Sequence, residues 1–277
     1  MGSLETVFSS IERSLGFVAK NHRHLIAGFL KVMALTFAIY LACGIIAAAV
    51  VFFGIVSFAG GIGAMTIAGI VVSAAIIMPL LIFAGALHLT CFNIVDAAPK
   101  GVPIIENGKR MFVPYLVYGL VMAALICGML LVPLSLMFIA GGGGTTLVIL
   151  IPLTLIAAIL ILITAGFFLQ FTQLEIAVNG SGGIEAMRSS IALVRGNLAA
   201  SVVFFIAEIA VGLVVGAVFG VISQLLSFGF FLAMVNVLFL AVVIMLYLAL
   251  IIVQTLAIMT ITLPMQYFFW RAIGGKR

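Results

Sequence analysis

Residues Leu198–Ser227 read LAASVVFFIAEIAVGLVVGAVFGVISQLLS, a stretch whose only charge is Glu208. A run of this length, free of Pro and of turn clusters, is long enough to cross the roughly 30 Å hydrocarbon core of a bilayer as a helix, which takes about 20 residues. In lipid the backbone has no water to bond, so a spanning segment satisfies its own N–H and C=O groups and is helical. Outward from this stretch, five more runs have the same character: Leu25–Phe58, Ile62–Val95, Met111–Ala140, Leu147–Val178 and Phe231–Phe269. Pro79 and Pro264 are expected to kink the second and sixth. Pro133 and Pro152 flank the turn between the third and fourth.

Composition points the same way. Of 277 residues, 66% are hydrophobic and 7% are charged, against about a quarter charged in soluble domains. Water could not cover so much apolar surface, and lipid can. Between the runs there is no room for a separate soluble catalytic domain. The first 24 residues are polar to amphipathic, so no cleavable signal peptide is expected. The fold expected is all-α: a polytopic bundle of six transmembrane helices forming a single integral membrane domain over 1–277.

Charge sets the expected threading. All 12 Lys and Arg residues fall at four places: Arg13 to Lys31, Lys100 to Arg110, Arg188 with Arg195, and Arg271 to Arg277. The alternate turns near Gly60–Gly61, Gly141–Gly144 and Ser227–Gly229 carry none. Cationic loops stay on the cytoplasmic side, so a cell-membrane location with both termini cytoplasmic is expected. The net charge of +5 is thereby read as topological, and no nucleic-acid partner follows from it. Asn179-Gly180-Ser181 matches a glycosylation acceptor but falls on the inner side, where it reads as a turn.

Three inner segments share a pattern: an Ile-Glu pair, basic residues, then an odd-numbered span. The pairs are Ile11-Glu12, Ile105-Glu106 and Ile184-Glu185. This suggests three units, 5–96, 102–178 and 183–270, each an interfacial amphipathic helix followed by a transmembrane hairpin. Acidic residues early and basic ones late suit the helix dipole, and the basic faces suit anionic lipid. Small residues four apart mark the odd spans: Ala34, Ala38 and Ala42; Gly119, Ala123 and Cys127; Gly212, Gly216 and Gly220. Such stripes let helices approach closely in lipid, within the bundle or against another membrane protein or a second copy.

The stretch Leu174–Phe204 carries a resemblance. Its residues Leu174-Glu175-Ile176-Ala177-Val178, Gly183-Ile184-Glu185-Ala186-Met187-Arg188-Ser189-Ser190 and Leu193-Val194-Arg195-Gly196-Asn197 resemble the membrane domain of glycerophosphoryl diester phosphodiesterases and related uncharacterised multi-pass prokaryotic proteins. About 30 residues carry it. The family's catalytic domain is soluble and separate, so the resemblance implies a membrane module and transfers no active site.

Candidate functional residues are few. Glu208 sits one four-residue step before Gly212, on the glycine stripe, and a carboxylate in hydrocarbon costs about 2–3 kcal/mol or more. It reads either as a proton or cation site or a polar anchor for a ligand, or as a structural carboxyl, protonated or hydrogen-bonded across helices, for example to Gln254 or Asn236. His88, Asn93 and Asp96 end the second span; Gln170, Thr172, Gln173 and Glu175 end the fourth; Gln254, Thr255, Thr260, Thr262 and Gln266 run through the sixth. They read as a vestibule, or as interfacial polarity in which Asp96 and Glu175 pair with Lys100, Arg188 or Arg195. His22 and His24 lack a third metal ligand nearby. Cys43, Cys91 and Cys127 lie inside apolar runs as packing residues. Tyr267 and Trp270 suit an aromatic belt. No nucleophile–base or metal grouping is apparent, so neither enzymatic chemistry nor a cofactor is expected. The expected function is a non-catalytic membrane module, an accessory, scaffold or lipid-interacting protein. The alternative is a small transporter coupled through Glu208.

Overall fold

The computed structural model describes residues 3–59, 63–139, 145–233 and 237–274. Among them the fold is all-α. The long elements are α1 (Ser3–Ala59), α2 (Gly63–Ala97), α3 (Ile104–Ile139), α4 (Thr145–Leu169), α7 (Leu198–Ala233) and α8 (Val237–Ala272). Between α4 and α7 lie a short α5 (Thr172–Leu174), a π-helical turn (Glu175–Asn179) and α6 (Gly183–Gly196). Six stretches are apolar and long enough to cross a membrane, one in each of α1, α2, α3, α7 and α8, and one from α4 onward at Pro152–Asn179. Large apolar side chains stand exposed along them, among them Phe52, Leu213, Leu225 and Met245. Only lipid or another apolar surface accommodates such helices, and the chain is a multi-pass helical membrane protein.

The element boundaries differ from expectation in three ways. The first amphipathic stretch and the first span form one unbroken helix of 57 residues, about 85 Å long. Asn21 lies within it, its side chain bonding back to Phe17 O at 3.0 Å. Likewise the second amphipathic stretch runs straight into α3, and Gly108 and Pro114 lie within that helix. Only the third stands apart, as α6. The turn expected at Ser227–Gly229 is helical: Ser227 Oγ donates to Ser223 O, and α7 continues to Ala233. The expected turns at Gly60–Gly61 and Gly141–Gly144, and Asn236, lie outside the described residues.

Two compact units are present. The first gathers Met1–Met33, Cys91–Val102 and Asn197–Lys276. Its core is Leu25, Phe29 and Val32 of α1, Phe92, Ile94 and Val95 of α2, Phe204 of α7, and Phe269 and Trp270 of α8. Phe204 and Phe269 stack with centroids 4.2 Å apart, and Phe17 meets Phe268 edge-on at 5.3 Å. Tyr267 and Trp270, expected in an interfacial belt, are instead buried in this core, Trp270 completely. Burial gives their large rings packing partners, and the Tyr267 hydroxyl finds a polar partner inside.

The second unit gathers Ala34–Thr90 and Pro103–Gly196. Here α3 packs against α4 and α6, and α4 against α6. Close approach comes from glycines the sequence had not singled out. A Cβ at Gly183 would collide with Pro114 O and the Tyr118 backbone, and one at Gly85 with the Tyr115 ring.

Candidate functional site

The hairpin of α7 and α8 is antiparallel, and four contacts set its register. Asn197 Nδ2 donates to Ile273 O at 3.1 Å, Phe204 stacks on Phe269, Gln266 Nε2 donates to Glu208 Oε1, and Ser223 Oγ meets Tyr247 Oη at 3.0 Å. The bond to Gln266 answers the desolvation of the Glu208 carboxyl, since an amide donor replaces water. Gln254, expected as the partner, falls opposite about Val218 on this register. That is about 15 Å along α7 from Glu208. Sequence had placed Gln266 among the polar groups of the sixth span, but pairing it with Glu208 needs the register of two packed helices.

At the end of α2, Asp96 receives a hydrogen bond from Tyr267 Oη at 2.5 Å and an ion pair from Arg271 Nη2 at 3.1 Å. The Arg271 guanidinium also lies over the Tyr267 ring, 5.3 Å from its centroid. Arg271 is a cation that sequence reading did not offer to Asp96. It is far away in the chain, and its role there was only to mark topology.

The second unit holds a polar joint at the end of α4. Helical hydrogen bonding lapses at Gln170–Phe171, where Phe171 takes φ −99° and ψ 0°. The Ser190 hydroxyl of α6 fills the lapse: it donates to Phe168 O at 2.9 Å and accepts from Phe171 N at 3.1 Å. An inserted side chain is a known cause of such a break. The fourth span was expected to run unbroken to Val178; the sequence holds no Pro or Gly at the joint to announce it.

Beyond the joint, Asn179 Nδ2 donates to Glu175 Oε2 at 2.6 Å, and Arg110 Nη2 donates to Ala177 O at 3.3 Å. Gly180 ends the turn in the left-handed region at φ 68°, and the N–H of Ser181 bonds to Glu175 O at 3.3 Å, a glycine stop of the usual helix-ending kind. Thr172 and Glu175 are buried, and the Thr172 hydroxyl has no hydrogen-bond partner among the described residues. Among the described residues the Gln170 amide also lacks partners, at both nitrogen and oxygen, as does Asn179 Oδ1.

α6 packs through Ala186, Met187, Ser190 and Val194, while Ile184, Glu185, Arg188 and Arg195 are exposed. Arg195 reaches over the Phe168 ring at 6.0 Å. Of the expected inner cluster, Asp96 therefore belongs to the first unit, and Glu175, Arg188 and Arg195 to the second.

The small-residue stripes play no packing role among the described residues. A Cβ at Gly119, Gly212, Gly216 or Gly220 meets nothing within 4 Å, and Ala34, Ala38, Ala42 and Ala123 are exposed. His22 Nδ1 donates to Ala19 O at 3.0 Å. No group of three His, Cys, Asp or Glu able to hold a metal occurs among the described residues.

The family model described as a domain of unknown function, DUF7847, matches residues 105–273. The chain belongs to this family. The DUF7847 match runs from the start of α3 to the end of the α7–α8 hairpin, and so includes both the α4 joint and the Glu208–Gln266 pair. It leaves α1, α2 and Asp96 outside. No curated protein and no solved structure matches the chain.

Proposed function

We propose that this protein is a non-catalytic membrane module of the cytoplasmic membrane whose basic end engages anionic lipid. The observation that carries this reading is α6. Its apolar face is spent on α3 and α4, and its outward face combines Ile184 with Arg188 and Arg195. A helix that offers a bulky aliphatic beside guanidinium groups suits the headgroup boundary, where apolar insertion and charge attraction add. The resemblance of Leu174–Phe204 to a membrane domain that works beside a separate catalytic domain is in keeping with such a role. The open glycine face of α7 leaves room for close approach by a partner helix, from another membrane protein or a second copy.

The test is lipid retention by the purified full chain, measured by native mass spectrometry after extraction from mixed bilayers. Anionic lipid should remain bound in preference to zwitterionic lipid, and Arg188→Gln with Arg195→Gln should remove the preference. Equal retention of both classes by the unaltered protein would overturn the proposal.

A second reading rests on Glu208, a carboxyl inside a span and only half-buried. As a coupling site it would support proton flux in proteoliposomes, abolished by Glu208→Gln. In the module reading that substitution keeps an amide-to-amide bond to Gln266, and no flux is seen in either protein.

A further inference from the structure

Near its start α1 has two apolar faces, and only one of them is used. Val7, Ser10 and Ser14 are buried, and the Phe17 ring packs on Phe268, so that face belongs to the bundle of the first unit. About 100° round the helix, Leu4, Phe8 and Leu15 are each more than half exposed. Ile11 and Val18, partly exposed, complete the row. Steps of four, three, four and three residues are the a/d repeat of a coiled coil. With Leu4, Ile11 and Val18 at d and Phe8 and Leu15 at a, Arg13 and Lys20 fall at f, on the side away from this row. Glu5 and Glu12 fall at e, along its rim.

Lipid is a poor cover for the row. α1 is unbroken through its 57 residues, so its start cannot fold back onto a membrane surface. Arg13, Lys20, Arg23 and Lys31 are all exposed and are spread along about 27 Å of axis. A cation facing hydrocarbon is costly, and only one near the boundary can snorkel out. The first span is therefore entered near Lys31. Leu15 then stands about 24 Å down the helix outside the hydrocarbon, and Leu4 farther still. An apolar row in that position calls for a protein surface to cover it.

A second copy of this chain supplies a matching row. Two copies inserted the same way in one membrane are related by a twofold axis along the membrane normal. That axis sets their α1 helices parallel, in register and row against row. In a parallel pair each e position faces g of the other helix. Here g is Val7 and Ser14, so Glu5 and Glu12 meet no like charge across the axis. An antiparallel helix of the same sequence would bring the glutamate rims together. The row is short for a free coiled coil, but confinement to one membrane raises the effective concentration of the two copies.

We infer that Leu4, Phe8, Ile11, Leu15 and Val18 form a homodimer seam, a parallel coiled coil between the α1 helices of two copies, outside the hydrocarbon. The inference stands apart from the lipid-engaging role of α6, which does not depend on it.

The test is oxidative cross-linking of the full chain in native membranes, with single cysteines placed in a chain lacking Cys43, Cys91 and Cys127. Phe8→Cys and Leu15→Cys should each give an adduct of twice the mass of the 29.2 kDa chain. Arg13→Cys and Lys20→Cys, on the far side, should give several-fold less. Phe8→Glu with Leu15→Glu should reduce the Ile11→Cys adduct several-fold. Both side chains are exposed, so folding of the single chain does not rest on them. No adduct from Phe8→Cys and Leu15→Cys, or equal yields from all sides of the helix, would overturn the seam. So would an adduct whose mass reveals a different protein. A spin label at Leu15 relaxed more by oxygen than by a water-soluble nickel chelate would overturn it too, since that is the outcome for a face in lipid.

Discussion

Glu208 and Asp96 are stabilised by different means, and the difference is measurable. Glu208 relies on one neutral amide across the α7–α8 hairpin. Such bonds in membranes average about 0.6 kcal/mol in double-mutant cycles and reach about 1.7. A cycle of Glu208→Leu and Gln266→Leu, followed by unfolding in mixed micelles, should give a coupling in that range. The same cycle with Gln254 in place of Gln266 should give none. Asp96 is held by a hydroxyl and a guanidinium. The Arg271 side chain is 36% exposed and that of Asp96 15%, so the ion pair is partly screened and contributes below about 1 kcal/mol. The hydroxyl comes from Tyr267, which is buried, and a hydrogen bond to a charged group contributes about 1.5–3 kcal/mol. Tyr267→Phe should therefore destabilise the protein more than Arg271→Gln, with high salt narrowing the effect of Arg271→Gln and leaving that of Tyr267→Phe.

At the scale of elements, the joint between α4 and α6 depends on one hydroxyl used twice. Ser190→Ala removes both the donor to Phe168 O and the acceptor for Phe171 N–H, and should cost about 1–3 kcal/mol. Hydrogen exchange at Phe171 should rise in that variant while α8 stays protected. Glycines divide into those that are required and those that are not. Gly183→Ala brings a methyl against the Pro114 carbonyl, and Gly180→Ala forces a left-handed residue at about 1–2 kcal/mol. Both should lower the melting temperature. Gly212→Ala meets open space and gains helix propensity of up to about 1 kcal/mol. It should be neutral or stabilising in the isolated protein, and any loss on substitution would report a partner helix seated on that face.

At the scale of the whole molecule, the threading expected from the cationic flanks can be tested directly. Cysteines introduced singly at Lys109 and Arg188, in a chain lacking Cys43, Cys91 and Cys127, should react with an impermeant maleimide only after the membrane is opened. Reaction in intact cells would reverse the topology, and with it the inner-leaflet role of α6. The number of spans and their approximate limits were legible in the sequence, because each follows from local hydropathy. So were the polar residues of the α4 end and of the sixth span, as a set.

Which of those residues meet was not legible. Hydropathy determines that a segment sits in lipid, because transfer free energy is a sum over its own residues. It says nothing of register, since lipid tails are as apolar as a neighbouring helix and do not favour one alignment over another. Packing decided the rest: Gln266 rather than Gln254 opposite Glu208, Arg271 beside Asp96, Trp270 in the core, and a serine from α6 inserted where the fourth span lets go of its own backbone.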